Sequence, residues 1–101
     1  MPDTTIKEEK VYRHAADVIC RQVGNESILV PIRNNVGNLD YIYTLSPIAA
    51  RIWSLIDGTR SVGQIIETIC AEYDVTTGQA AADVAELVSD LDQVSLLLQV
   101  S

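Results

Sequence analysis

The chain contains few side chains that could carry out covalent chemistry. A nucleophilic mechanism needs a base beside the nucleophile, and the single histidine, His14, has no acid or thiol placed to orient it. The two cysteines, Cys20 and Cys70, lie far apart and have no second ligand nearby, which argues against a zinc motif and a disulfide framework. We interpret both as small buried apolar residues in a reducing compartment. We therefore expect no catalytic residue and no metal site.

Phosphate binding and paired-carboxylate chemistry also lack support. No glycine-rich phosphate loop is present, because each glycine is isolated at a predicted turn or helix start. Neighbouring carboxylates such as Asp90 and Asp92 fall on helix positions that we expect to face solvent. The sequence thus predicts a protein that is not an enzyme, uses no cofactor and acts by binding.

Length and composition indicate one globular domain. The chain has 101 residues, of which 48% are apolar and 21% are charged, as is typical of a soluble fold. Its apolar runs span a few residues, whereas a membrane helix needs about 20. The first ten residues carry three acids and no apolar stretch, unlike a secretory signal peptide. We expect a cytoplasmic protein that does not enter the membrane.

The charge is concentrated in the second half of the chain. Residues 1–45 hold five bases and six acids, whereas residues 46–101 hold two bases and eight acids, and the net charge is −7. Proteins that bind nucleic acid or anionic membranes need clustered Lys and Arg to neutralise phosphates. Neither is therefore an expected partner, and a neutral or cationic peptide fits the charge better.

The first third of the chain predicts a tail and a hairpin. Residues 1–12 are polar and without periodicity, so we predict a flexible N-terminal tail before a domain at 13–101. Two β-branched segments, 17–23 and 27–30, flank the turn dipeptide Gly24-Asn25 and predict a hairpin. We end the second strand at Pro31, which cannot donate to a sheet ladder.

A third strand and three helices follow. Residues 39–45 alternate with period two, which places Leu39, Tyr41, Tyr43 and Leu45 on one face. Capping residues then predict a helix from Ser46-Pro47 to Asp57-Gly58, a second from Ser61, and a third from Thr76 to about Gln93. An apolar segment at 96–100 is suitable as a closing strand. The predicted fold class is α+β: a three-stranded antiparallel sheet followed by a three-helix bundle that resembles a winged helix-turn-helix.

This outline leaves three binding functions open. A winged helix could bind DNA, but the third helix carries Asp83, Glu86, Asp90 and Asp92 without a base and would repel phosphates. If the third strand lies at the sheet edge, an extended peptide can add to it as a further strand. The same edge could instead be covered, or could pair with another protein or a second copy, so that a monomer and a dimer both fit.

Residues 45–65 resemble the signature of the PqqD-like family, the pyrroloquinoline-quinone biosynthesis chaperone and its relatives. The shared features are a polar cap, an apolar helix with Ile52-Trp53, the pair Asp57-Gly58, and then a basic residue, Ser, Val and Ile. The segment Tyr73-Asp74-Val75 and the acidic third helix extend the likeness over about residues 17–98. Ser46-Pro47 and Gly63 depart from the residues usual in the family, but both keep the helix starts intact.

The resemblance implies a recognition element for ribosomally synthesised, post-translationally modified peptides. Such domains hold the leader of a precursor peptide as an added strand and deliver it to a maturation enzyme, often a radical S-adenosylmethionine protein. On this sequence, the implied contacts of the strand are Asp40, Tyr41, Ile42, Tyr43 and Thr44, and those of the third helix are Asp83, Leu87, Asp90 and Val94. We expect Ile42 to contact the leader, at least one of the two tyrosines to pack in the core, and the two aspartates to pair with Lys or Arg.

Overall fold

The computed structural model describes residues 8–32 and 43–100. Within them the chain forms five strands and three helices in the order β1 (Tyr12–His14), β2 (Val18–Val23), β3 (Glu26–Pro31), β4 (Tyr43–Leu45), α1 (Pro47–Leu55), α2 (Val62–Glu72), α3 (Thr77–Gln93) and β5 (Leu97–Gln99). The predicted α+β class, with three helices and a three-stranded antiparallel sheet, is confirmed.

The three-stranded sheet has the order β2-β3-β4, with antiparallel pairing throughout. The predicted hairpin forms β2 and β3, and Gly24 turns the chain with a φ of 64°, a left-handed conformation that glycine adopts at low cost. β4 pairs with β3 from Ser27↔Leu45 to Leu29↔Tyr43, so among the described strands it lies at the edge of this sheet. Positions 39–42 of the predicted third strand lie outside the described residues.

The outer part of the hairpin is exposed, which corrects our interpretation of Cys20. Every residue of β2 after Val18 is exposed, including Cys20, because β2 forms the opposite edge of the sheet beyond the helices. The β-branched composition of this segment predicted a strand but carried no information on what would cover it. Cys70, on α2, is half-buried.

The structure describes residues 8–12 of the predicted N-terminal tail and places the last of them, Tyr12, in a strand. Tyr12 begins β1, is 5% exposed, and pairs with β5 in a second, two-stranded antiparallel sheet. The carbonyl oxygens of Glu8 and Lys10 accept hydrogen bonds from the backbone N–H groups of Gly63 and Val62, at 2.8 and 2.9 Å. These partners lie far away in sequence, so local polarity gave no sign of them.

Side-chain caps start each helix where the sequence predicts. The Ser46 hydroxyl accepts from the Ala49 N–H at the start of α1, and the Thr76 hydroxyl accepts from the Gln79 N–H at the start of α3. Ser61 and Gln64 form a complete capping box at the start of α2. The apolar stripes of the three helices pack with β3, β4 and β5 around one core. No helix in the described ranges is long and apolar enough to cross a membrane.

His14, at the end of β1, packs against α1. Its ring stacks on the Trp53 ring with 3.6 Å between centroids and an interplanar angle of 2°. The His14 Nε2 atom lies 2.7 Å from the Trp53 carbonyl oxygen, which only accepts, so Nε2 carries a proton. Partial burial lowers the pKa of His14 below 6.5, an effect larger than the opposing influences of this hydrogen bond and of Asp57.

We predict that acid destabilises the protein through His14. As the pH falls, the imidazole of His14 in the unfolded chain takes up a second proton near pH 6.5, before the imidazole in the folded chain does. The free energy of unfolding should therefore fall as the pH drops through 6.5. Urea unfolding at several pH values between about 7 and 5 measures the effect, above the range in which most carboxylates titrate. The His14→Phe variant can still stack on Trp53 but does not titrate, and its stability should change less over this interval. An equal pH dependence in both proteins would contradict the prediction.

Candidate functional site

An open groove of about 330 Å³ lies between β4, the first half of α1 and one side of α3. Among the described residues, its lining combines apolar, hydroxyl and acidic side chains and includes no lysine or arginine: Tyr43, Thr44, Leu45, Ser46, Ile48, Ala49, Ile52, Asp83, Glu86, Leu87 and Asp90. The groove opens beside the edge strand of the sheet, so an extended chain paired with β4 would lie next to it.

The apolar part of the groove is built from residues of the core. Leu45 and Ile52 are each 1% exposed and Leu87 is 8% exposed, so each buries most of its side chain and presents a small apolar surface. Ile48 and Ala49, on the first turn of α1, are half-buried and extend this surface toward solvent. Because these residues belong to the packed core, the groove is preformed and apolar at its base.

A hydrogen bond joins the edge strand to α3 across one side of the groove. The Tyr43 hydroxyl donates to Asp90 Oδ2 at 3.2 Å, and the Tyr43 ring is half-buried against the core. Burial, followed by the nearby Asp90 carboxylate, raises the pKa of Tyr43, so the hydroxyl remains a donor at neutral pH. This contact ties the edge strand to the helix that forms the opposite side of the groove.

The α3 side of the groove is acidic. Asp83, Glu86 and Asp90 follow one another at spacings of three and four residues and therefore share a helix face. Asp83 Oδ1 accepts from Gln79 Nε2 at 2.9 Å, and Asp90 accepts from Tyr43. Within residues 8–32 and 43–100, Glu86 makes no hydrogen bond or ion pair.

Two arginines near the groove elements are paired elsewhere. Arg51 on α1 donates twice to the carboxylate of Glu72 on α2, at 2.7 and 2.6 Å, and this pairing lowers the pKa of Glu72. Arg60 pairs with Asp57, whose pKa falls to about 2, mainly through hydrogen bonds donated by Thr59. Neither arginine lines the groove, so its carboxylates give it a negative potential.

The structure brings together most of the predicted site residues that it describes. Five of them line the groove: Tyr43, Thr44, Asp83, Leu87 and Asp90. Val94 does not line it; this residue caps the C-terminus of α3 and packs against the core. Asp40, Tyr41 and Ile42 lie outside the described residues.

Sequence reasoning missed the α1 contribution and Glu86. Ser46, Ile48, Ala49 and Ile52 line the groove, although the sequence marked Ser46 only as a helix cap and the other three only as part of an apolar helix. Glu86 had a usable signal, because it lies three residues after Asp83 and four before Asp90. Within the part of the chain that the structure describes, no cluster of three His, Cys, Asp or Glu side chains is placed to hold a metal ion.

Comparison with known proteins assigns the chain to a family. The family of coenzyme PQQ synthesis protein D (PqqD) matches residues 26–97, well over half of the chain. The chain belongs to the PqqD family. The match includes β3, β4, all three helices and the start of β5, and hence every element that lines the groove.

Curated relatives of the chain support this assignment. The PqqA binding proteins of Xanthomonas euvesicatoria pv. vesicatoria and Xanthomonas axonopodis pv. citri are each 41% identical to this chain over 56 residues. The aligned part is 55% of this chain and 61% of each relative. The chain thus spans about three fifths of the length of the curated relatives that it matches.

A solved structure has the same fold. The structure of TbiB1 in complex with the TbiA(beta) leader peptide superposes with a TM-score of 0.69 and is 24% identical in sequence. The superposition covers 84% of this chain and 93% of the other. The PqqD-family fold of this chain therefore has a counterpart that was solved with a peptide bound to it.

Proposed function

We propose that this PqqD-family chain is a non-catalytic chaperone that binds the leader of a ribosomally synthesised precursor peptide and presents it to a maturation enzyme. The observation that carries the proposal is the position of β4, an edge strand that opens onto an apolar groove. Strand addition uses the main chain for affinity and side-chain pockets for selectivity, and this edge offers both.

The leader would lie along β4, about 4.8 Å from it, as the next strand of the sheet. Side chains on one face of that added strand would enter the groove over Leu45, Ile52 and Leu87. The alternating residues would face solvent beside Thr44. The binding site in this proposal comprises the strand residues Asp40, Tyr41, Ile42, Tyr43 and Thr44 and the helix residues Asp83, Leu87, Asp90 and Val94.

The names of the relatives support the peptide as ligand. The Xanthomonas relatives are PqqA binding proteins, and TbiB1 was solved with a leader peptide. The maturation enzyme in our proposal is a radical S-adenosylmethionine protein, as the family resemblance implies, and the proposed compartment is the cytoplasm. The three helices followed by β5 also resemble a winged helix-turn-helix, but the acidic α3 does not suit a DNA groove.

Amide chemical shifts test the proposal. Synthetic peptides that span the short reading frames next to the gene are titrated into the isotopically labelled chain, with a scrambled version of each peptide as control. We expect one peptide to shift the amides of Thr44, Leu45 and the segment 83–90 together. Shifts confined to the β1–β5 sheet, or no shift with any of the peptides, would contradict the proposal.

A further inference from the structure

We propose that the groove selects a leader segment in which a Lys or Arg lies two residues from an apolar residue, and that Glu86 binds the cation. This inference rests on the proposed function and names the chemistry of its ligand. It assigns to Glu86 a role in specificity that neither the family match nor the names of the relatives provide.

The apolar half of this preference follows from the base of the groove. The aliphatic side chains of Leu45, Ile52 and Leu87 form an apolar surface that offers no hydrogen-bond donor or acceptor. An apolar leader side chain placed there removes that surface from water, whereas a polar one would lose hydrogen bonds to water without replacing them. The residue over the base of the groove is therefore expected to be apolar.

The cationic half follows from the spacing of an added strand. Side chains two residues apart on a strand share a face and lie about 6.6–6.8 Å apart. Glu86 is next to Leu87 on α3, and both line the groove. When an apolar side chain rests on Leu87, the next side chain on the same face is within reach of Glu86 if it has the long stem of Lys or Arg.

Glu86 is the carboxylate that remains available for this contact. Asp90 accepts from Tyr43 at 3.2 Å, and Asp83 accepts from Gln79 at 2.9 Å. Glu86 is exposed, and in the described ranges it has neither a hydrogen bond nor an ion pair. A cationic peptide side chain would therefore pair with Glu86 without displacing an existing partner.

The expected energetic effect is modest because the pair is exposed. Exposed ion pairs typically change an equilibrium by up to about fivefold. Salt screens such pairs, so the preference for Lys or Arg should weaken as ionic strength rises from about 0.05 to 0.5 M. Strand pairing and apolar contact would supply most of the affinity, and Glu86 would discriminate among otherwise similar leaders.

Selection from a random twelve-residue peptide library displayed on phage tests the assignment. The library is selected in parallel on the wild type, on Glu86→Gln and on Glu67→Gln, a matched control at an exposed position of α2 outside the groove. We expect the wild type and the control to enrich Lys or Arg two positions from an apolar residue. Glu86→Gln should enrich the apolar residue without the cation. Equal cationic enrichment by all three proteins would overturn the role of Glu86.

A groove-filling variant separates failure of this inference from failure of the proposed function. Ala49→Phe, selected in the same way, should enrich none of the wild-type peptides, because its side chain enters the groove. If it enriches the same peptides, they bind elsewhere, and both proposals fail. If it does not, but Glu86→Gln retains the cationic preference, only the present inference fails.

A double-mutant cycle on one enriched peptide completes the test. Replacement of the peptide Lys or Arg by Gln should weaken wild-type binding about two- to fivefold and leave binding to Glu86→Gln unchanged. If the role of Glu86 were merely structural, Glu86→Gln would lower the affinity for the original peptide and for its Gln version equally. Equal losses in the two proteins would therefore contradict a direct pairing.

Discussion

The Ala49→Phe variant should lose at least about tenfold in affinity for a peptide that binds along β4, while the fold remains intact. Ala49 lies on the first turn of α1, is half-buried and lines the groove. A phenyl ring at this position would occupy the space that we assign to a leader side chain. Phe is a weaker helix former than Ala, by roughly 0.5 kcal/mol, so we expect a small loss of stability.

Fluorescence anisotropy of a labelled peptide measures this loss, with Ala71→Phe as the matched control. Ala71 lies on α2, is exposed and is not part of the groove lining, so the control introduces the same side chain away from the proposed binding site. Circular dichroism shows whether both variants keep their helices. Unchanged affinity in the folded Ala49→Phe protein would contradict binding in this groove, and an equal loss in both variants would indicate a non-specific effect.

Local signals in the sequence predicted the elements that are fixed by local chemistry. Gly24 marked the hairpin turn, and Ser46, Ser61 and Thr76 marked the helix starts, because each device acts within a few residues. The acidic side of α3 followed from helical spacing in the same way. The edge position of β4 was a conditional expectation, and the order of the described strands confirms it.

Features that depend on long-range contacts could not be obtained from periodicity. Tyr12 is buried because β1 pairs with β5, more than eighty residues further along the chain, and the short strand has no pattern of its own. Cys20 is exposed because β2 lies beyond the helices. The contribution of Ile48 and Ala49 to the groove could not be predicted either. Both are apolar residues of an apolar helix, which indicates burial, and only the tertiary structure shows where the apolar side of that helix reaches the surface.

The charge of the groove would let the proposed chaperone distinguish among leader sequences, which the strand edge alone cannot do. An edge strand alone would accept many extended chains, because main-chain hydrogen bonds carry little sequence information. The part of the groove lining that the structure describes has three carboxylates and no base, which disfavours acidic leader segments over basic ones. The hydrogen bond from Tyr43 on the edge strand to Asp90 on α3 gives one of these carboxylates a partner. Glu86 remains as a carboxylate that faces the groove.

The largest effect on stability should come from the Trp53→Ala variant. Trp53 is 6% exposed, belongs to the core cluster and carries the His14 ring on one face. Removal of a buried tryptophan side chain typically costs about 3–5 kcal/mol, through lost apolar burial and the cavity that remains. The free energy of unfolding of a small domain is about 5–15 kcal/mol, so this variant should be close to unfolding at physiological temperature.

Urea unfolding followed by far-ultraviolet circular dichroism measures this change, since Trp53 is the only tryptophan and its fluorescence is lost in the variant. Leu98→Ala is the control, because Leu98 is 42% exposed and should contribute less than about 1 kcal/mol. An equal loss in both variants would contradict the position of Trp53 in the core. Since α1 forms both part of the core and one side of the groove, Trp53→Ala should weaken peptide binding and stability together. Ala49→Phe should weaken binding with little loss of stability, because it changes the groove and leaves the core beneath it in place.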